Sequence, residues 1–335
     1  MSQYSFPGKG RRRVLAAIAA AGGLAALLTL PSIASAQAYP AKPVKVLVLS
    51  APGAMGDILA RLTGRHLQTA LGQPVVIENR PGAGGHVSGE AVARSAPDGY
   101  TVLFGVNSMF GLAPVMFPNL SYDPENDLVP AGYISEGMHL LLTNVSVGTK
   151  TLDEFIAYAK QKGSSVNFGS GGSGHPLHLY VEQLQSRFGT QMTHVPYNGM
   201  PAAINALSAN DVQFLVTGTA DSAAHVRSGR LQILATTGPV VKDAAPANTP
   251  NLDRAYPDLA YSGWVGLWVP KKTPAEVVTT INRALNALAD SPEFQKDMLV
   301  IGNVPMKGSP ADVQRKLNED IQKIRDTARR VNLKV

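Results

Sequence analysis

Short apolar runs alternate with amphipathic segments through most of this chain, and that alternation leaves few folds open. Val44–Leu49 is apolar apart from Lys45, as expected of a strand buried on both faces over most of its length. Residues 57–71 follow, with Ile58, Leu59, Leu62 and Ala70 on one side of a helix. Gln73-Pro74 turns the chain into a short strand at 75–77, and the pattern then predicts a helix over 86–96 and a strand over 100–105. This is a βαβαβ order, which implies a parallel sheet with right-handed crossovers.

A turn-rich stretch at 119–130 interrupts the pattern. A second set opens at Leu140–Thr143. Helices at 151–162, 176–188, 200–209 and 219–228 alternate there with strands at 165–168, 192–196, 212–216 and 231–235. Residues 238–262, rich in Pro, Ala and Asn, read as a long return connection. A strand at 264–269 and helices at 274–290, 292–300 and 310–331 close the chain, the last with Val313, Leu317, Ile321, Ile324 and Ala328 on one face. Two α/β domains are expected, one from residues 39–138 and 264–335 and one from residues 139–263. Hinged pairs of this kind close on a ligand.

A length of 335 residues suits two domains, and 44% hydrophobic with 16% charged residues describes a globular chain. The absence of cysteine excludes disulfides, thiolate-held zinc, a cysteine nucleophile and a lipidated N-terminal cysteine. The net charge of +6 misleads, because residues 1–38 hold Lys9, Arg11, Arg12 and Arg13 and no acid. The remainder carries 26 basic and 24 acidic residues, which leaves no electrostatic footprint for nucleic acid. Residues 1–38 read as an export signal. Arg11-Arg12-Arg13 precedes the apolar run Val14–Leu30, Pro31 breaks it, and Ala34-Ser35-Ala36 or Ala36-Gln37-Ala38 offers the cleavage site. The arginines also approximate a twin-arginine signal. A periplasmic protein cleaved after Ala36 or Ala38 is expected.

Ligands of parallel α/β sheets bind beyond the carboxyl ends of the strands, so the strand-to-helix turns are the candidate sites. The first is Ser50-Ala51-Pro52-Gly53-Ala54-Met55-Gly56-Asp57. Its glycines permit close backbone approach, and the following helix start suits an anion. Asp57 reads either as the helix N-cap or as a ligand contact and loop organiser. A second turn, Gly169-Ser170-Gly171-Gly172-Ser173-Gly174-His175-Pro176, matches G-x-G-x-x-G. No acid stands about 20 residues on, no Gly-Lys-Ser/Thr follows, and no G-x-S-x-G is present, so dinucleotide, P-loop and hydrolase readings fail. An anion cradle or a plain tight turn survives. Tyr197, in the turn before Asn198-Gly199, either lines a cleft or packs against the domain. Asn107 and Ser108 put short polar arms at a strand end, as a plain turn also would. His175 and His178 stand three apart without a third metal ligand implied, the carboxylates are scattered over helical surfaces, and no nucleophile–base pair stands out. No metal, cofactor or enzymatic activity is expected.

Taken in order, these loops resemble the extracytoplasmic solute receptors of the tripartite tricarboxylate transporter family, the Bug receptors. The likeness runs from about Tyr39 to the C-terminus. It rests on Pro-Gly-x-x-x-Asp at 52–57, Gly72-Gln73-Pro74-Val75-Val76-Ile77-Glu78-Asn79-Arg80-Pro81-Gly82-Ala83-Gly84-Gly85, and Ala96-Pro97-Asp98-Gly99-Tyr100-Thr101. It continues through Tyr122-Asp123-Pro124, Gly172-Ser173-Gly174, His194-Val195-Pro196-Tyr197-x-Gly199 and Gly229-Arg230-Leu231.

The resemblance implies a two-domain periplasmic binding protein of the Venus-flytrap, type II-like kind, with parallel-rich α/β sheets and flanking helices. It implies capture of a small carboxylate solute, such as a di- or tricarboxylate or an aromatic acid, and delivery to inner-membrane permease subunits. A monomer without enzymatic activity is expected. A ligand sensor for a signalling partner and a secreted α/β enzyme are the competing readings. The positions matching the family's carboxylate cradle are Gly53, Ala54, Met55 and Asp57 in the first loop, Ser108 in the second, Ser173 and Gly174 in the third and Tyr197 in the fourth. Asn107, His175, Asn198 and Thr217 complete the candidate set. Here the sequence departs from the family pattern at Ala54 (a second glycine is common), His175 (a small hydroxyl residue), Asn198 (a basic residue) and Thr217 (Asp).

Overall fold

A computed structural model of the chain describes residues 2–3, 39–117, 119–173, 175–260 and 263–330, with the side chains at 112–116, 327, 328 and 330 outside the description. The export signal expected at 1–38 lies outside the described residues apart from Ser2 and Gln3, as does Gly174. Residues 39–335 form one compact unit built on two sheets.

The first sheet begins with β1 (Val44–Val48), α1 (Met55–Leu71), β2 (Val75–Asn79), α2 (His86–Ala93) and β3 (Thr101–Val106). β1 pairs in parallel with β2 and with β3. It is buried on both faces: Val44, Val46 and Val48 enter one core while Leu47 enters the other. The apolar run, broken only by the exposed Lys45, therefore reads as it should for a central strand. α1 ends at Gly72 in the left-handed conformation that closes a helix without a Cβ penalty. Next come α3 (Asn107–Met116), the single turn α4 (Pro124–Asp127) and β4 (Leu128–Gly137).

The chain then crosses at Met138 into the second sheet. This holds β5 (His139–Asn144), α5 (Leu152–Lys162), β6 (Asn167–Ser170), α6 (Pro176–Phe188), β7 (Thr193–Pro196), α7 (Met200–Ala209), β8 (Phe214–Gly218), α8 (Thr219–Arg227) and β9 (Leu231–Thr237). A return segment containing α9 (Leu252–Ala255) leads back to β10 (Trp264–Pro270), α10 (Ala275–Asp290), α11 (Pro292–Val300), β11 (Asn303–Pro305) and α12 (Pro310–Arg330).

The strand orders are β11-β4-β10-β3-β1-β2 and β7-β6-β8-β5-β9. Each sheet thus has three parallel strands beside an antiparallel strand that arrives from the other sheet, β10 in the first and β5 in the second. The sheets are mixed, and the parallel pattern is confined to β2-β1-β3 and β7-β6-β8. The crossings lie against each other: the Gly137 N–H donates to the Gly263 carbonyl at 3.1 Å and the Met138 N–H to the Gly302 carbonyl at 2.9 Å. Gly238 has φ +82° there, and a Cβ on it would stand 2.6 Å from the Gly137 oxygen.

Several strand or helix assignments differ from the sequence reading, the short α4 and α9 among them. β4 opens inside the stretch 119–130 that reads as turn-rich and runs on through residues 131–137, for which the sequence predicts no element. Pro130 in fact sits beside a register shift in the β4–β10 pairing, a place where a strand tolerates proline. α3 covers the Asn107-Ser108 turn and continues through Gly111 and Pro114. Three-residue β11 is too short to show a period. The stripe on α12 holds: Val313, Leu317 and Ile321 are buried against Trp264, Trp268 and Phe110 on the second face of the first sheet.

Candidate functional site at the facing strand ends

The first loop is built around Asp57. Ala54 is the N-cap of α1 and has no side chain to cap with, so Asp57, three residues on, reaches back. Its Oδ2 accepts the Gly53 N–H at 2.9 Å, and its Oδ1 accepts from Asn79 Nδ2 at 2.9 Å and pairs with Arg61 Nε at 2.9 Å. Asn79 Nδ2 also donates to the Ser50 carbonyl at 3.0 Å. Burial would raise the Asp57 pKa, but the bonds from Arg61, Gly53 and Asn79 hold it below the usual carboxylate range. The N-cap reading of Asp57 is therefore corrected, and the loop-organiser reading stands. Gly53 has φ +79° with open space around it, so the turn needs glycine for its conformation.

At the end of β3, Asn107 and Ser108 are both buried, but they differ in use. Asn107 Nδ2 donates to Asp320 Oδ2 at 3.0 Å, and Trp264 Nε1 donates to the same oxygen at 2.6 Å. Asn107 is thus committed to holding α12 on the sheet. Ser108 Oγ is buried with no hydrogen-bond partner.

In the second sheet, the loops after β6, β7 and β8 lie side by side because those strands are neighbours. His175 proves to be the N-cap of α6, its Nδ1 accepting the Leu177 N–H at 3.2 Å, with Pro176 at the first helical position. Behind it, His178 and His194 stack with ring centroids 3.6 Å apart, and His194 Nε2 meets Ser170 Oγ at 2.7 Å. Burial first, then the neighbouring histidines, pushes His175 down to about 4. His194 is likewise pushed down to about 4 by burial and His178. These rings pack against one another, and among the described residues no cluster of three His, Cys, Asp or Glu could hold a metal ion. Ser173 and Asn198 are exposed at the loop tips, while Tyr197 is half-buried against the second core.

The two sheets meet at the third of these loops. A Cβ at Gly218, the last residue of β8, would stand 3.0 Å from Met55 Cε. Asp221, in the first turn of α8, lies with Met55 against Gly218 and accepts, at Oδ2, the Thr217 hydroxyl at 3.2 Å. Burial pushes Asp221 up to about 6. Of the candidate residues, Met55 and Thr217 are therefore brought together across the two sheets, with Gly53, Ala54 and Asp57 supporting Met55. Asn107 and His175 have internal structural roles instead. Asp221 is the residue the sequence reading missed. An acid in a helix's first turn reads as a partner for the helix dipole, and nothing in its spacing marks the contact with Met55. A separate depression of about 540 Å³, lined by Ser164, Glu182, Gln185, Ser186 and Thr190 among others, lies at the opposite end of β7 from Tyr197.

Two mixed α/β sheets joined by crossing strands, with helix-start loops facing each other, define the fold of periplasmic binding proteins. The solved structure of Rpa4515 with adipate, from R. palustris, is 27% identical to the chain, with a TM-score of 0.82 over 88% of this chain and 99% of that one. MatC from Rhodopseudomonas palustris with bound malate is 27% identical, with a TM-score of 0.78 over 86% and 99%. Protein BugT of Bordetella pertussis is 31% identical over 90% of this chain and 93% of its own. Residues 59–333 match the family described as the tripartite tricarboxylate transporter family receptor. The chain belongs to that family.

Proposed function

We propose that this protein is a periplasmic receptor that captures a small carboxylate-bearing solute for a tripartite tricarboxylate-type permease. The observation that carries the reading is the start of α1, where the N-cap Ala54 has no capping side chain and Asp57 Oδ2 fixes the Gly53 N–H in the loop that meets the end of β8. A helix start offers N–H groups without intrahelical partners and the positive end of the helix dipole, so it suits an anion. The partnerless Ser108 hydroxyl, buried at the start of α3, adds a donor. The ligands named for MatC and Rpa4515, malate and adipate, are both carboxylates.

The energetics are adequate without a buried lysine or arginine. A micromolar receptor needs about 8 kcal/mol. Hydrogen bonds to a charged carboxylate contribute roughly 1.5–3 kcal/mol each, so three to five reach that target before ordering costs. Closure of the two sheet-centred domains, residues 39–138 with 264–335 against 139–263, then excludes competing water. Ser173, Tyr197 and Asn198 belong to the closing face in this reading. The N-terminal segment directs export and is cleaved after Ala36 or Ala38.

A thermal-shift screen over small mono-, di- and tricarboxylates tests the reading, since a ligand that binds only the folded state raises the melting temperature by mass action. At least one carboxylate at millimolar concentration is expected to stabilise the protein. No shift with any of them, together with turnover of an ester or a dinucleotide substrate, would overturn it.

A further inference from the structure

Asp320, on α12, is buried, and one of its oxygens gathers donors from three places. Oδ2 accepts Asn107 Nδ2 at 3.0 Å and Trp264 Nε1 at 2.6 Å, and Lys316 Nζ, one turn earlier on α12, stands 3.7 Å from it. Asn107 is the first residue of α3, and Trp264 is the first residue of β10, the strand on which the chain returns from the second sheet. The carboxylate therefore ties a helix start to a crossing strand. α12 also sits closely over the next turn of α3, since a Cβ on Gly111 would stand 2.9 Å from Ile324 Cβ. Residues 107 and 111 of α3 thus meet residues 320 and 324 of α12, four apart on each helix, so one face of each is engaged.

A buried carboxylate is a poor source of net stability, because desolvation offsets what its bonds return, and apolar side chains of similar volume commonly serve as well. What it adds is a fixed direction for the groups bonded to it. Ser108 directly follows Asn107 in α3, and its hydroxyl is buried with no hydrogen-bond partner. A buried unsatisfied hydroxyl carries a desolvation penalty that an accepting carboxylate oxygen removes. The strength of that new bond depends on the direction of the donor. Resting on the carboxylate reading above, we propose that Asp320 is a positioning residue for solute binding: through Asn107 it fixes the start of α3 so that the Ser108 hydroxyl is aimed at the solute carboxylate. Trp264 holds Asp320 from the opposite side, and Asp320 itself makes no contact with the solute.

The test is a double-mutant cycle of Asp320→Ala and Ser108→Ala, read by calorimetry at pH 7.5 with malate, adipate and citrate as probes. Each single variant is expected to weaken the tightest of the three acids tenfold or more. The double variant is expected to bind within threefold of Ser108→Ala, because without the hydroxyl its aim no longer matters. Asp320→Asn, which keeps an acceptor oxygen for Asn107 and Trp264, is expected to stay within threefold of wild type. Should Asp320→Ala fail to fold, Asn107→Ala takes its place in the cycle, since it cuts the same link and leaves Asp320 with Trp264. Wild-type affinity in either single variant overturns the inference and leaves the carboxylate reading standing. Losses that multiply in the double variant also overturn it, because Asp320 then acts apart from Ser108. So does Asp320→Asn binding as weakly as Asp320→Ala, which would make the charge and not the aim the cause. Binding of none of the three acids by the wild-type protein counts against the carboxylate reading itself, and the inference falls with it.

Discussion

Asp57 Oδ2 accepts the Gly53 N–H at 2.9 Å, so the loop that faces the second sheet is held from inside its own helix. Asp57→Ala removes that bond and leaves Asn79 Nδ2 and the Arg61 guanidinium without their shared acceptor. We expect a stability loss of about 1–3 kcal/mol, as for a buried charged hydrogen-bond partner. We also expect at least tenfold weaker solute binding, because the helix-start donors lose their fixed direction. Urea denaturation and calorimetry measure the two separately. Unchanged affinity in a folded Asp57→Ala protein would remove the first loop from the site.

The acid at the sheet contact has its own signature. Burial raises the folded-state pKa of Asp221 from 3.8 to about 6. Its contribution to stability is therefore fully present below about pH 4 and is lost as pH rises through 6. Asp221→Asn is expected to be more stable than wild type by about 1–2 kcal/mol at pH 8, a figure scaled down from a two-unit shift for partial solvent access. The difference should vanish near pH 4. A variant less stable than wild type at pH 8 would mean that the charged form is the favoured one.

Histidines act with the opposite sign. Burial pushes His86, His139, His175 and His194 down to about 4. The unfolded chain takes up these protons first, so stability contributed by the neutral rings is lost as pH falls from about 6.5 towards 4. Denaturation at pH 7 and pH 4.5 should show a loss of about 2 kcal/mol or more. His194→Phe, which keeps a ring on Phe168 and His178, should flatten that dependence. An equally steep profile in His194→Phe would show that His194 does not contribute to it.

The place where the chain crosses between sheets tolerates no side chain at Gly238, which combines φ +82° with a Cβ position 2.6 Å from the Gly137 oxygen. Gly238→Ala should cost about 2 kcal/mol or more, from the left-handed penalty and the backbone clash together. The melting temperature measures it. A loss confined to a few tenths of a degree would mean that the crossing strands move apart freely.

Much of this architecture was legible because its signals are local. β1 shows as an apolar run broken only by Lys45, α6 and α7 begin and end at their predicted residues, and the α12 stripe repeats at helical spacing. β4 was hidden because it opens in the turn-rich stretch that ends at Pro130, and only pairing with β10 explains how a strand carries that proline. The site was legible to the level of the loops and no further. Asn107 looked like a ligand contact, yet its partner Asp320 is 213 residues away. Asp57 looked like a cap by residue type, and its partner Asn79 is 22 residues on. Asp221 meets Met55 only because two sheets fold against each other, a contact that no spacing along the chain encodes.

The central claim is that a solute carboxylate is held at the start of α1, between the two sheets. Backbone amide resonances followed during titration with a carboxylate that gives a thermal shift test it most directly. Large shifts at Gly53, Met55, Gly56 and Thr219 that saturate together are expected. Shifts confined to Glu182, Gln185 and Thr190, around the depression at the other end of β7, would contradict it.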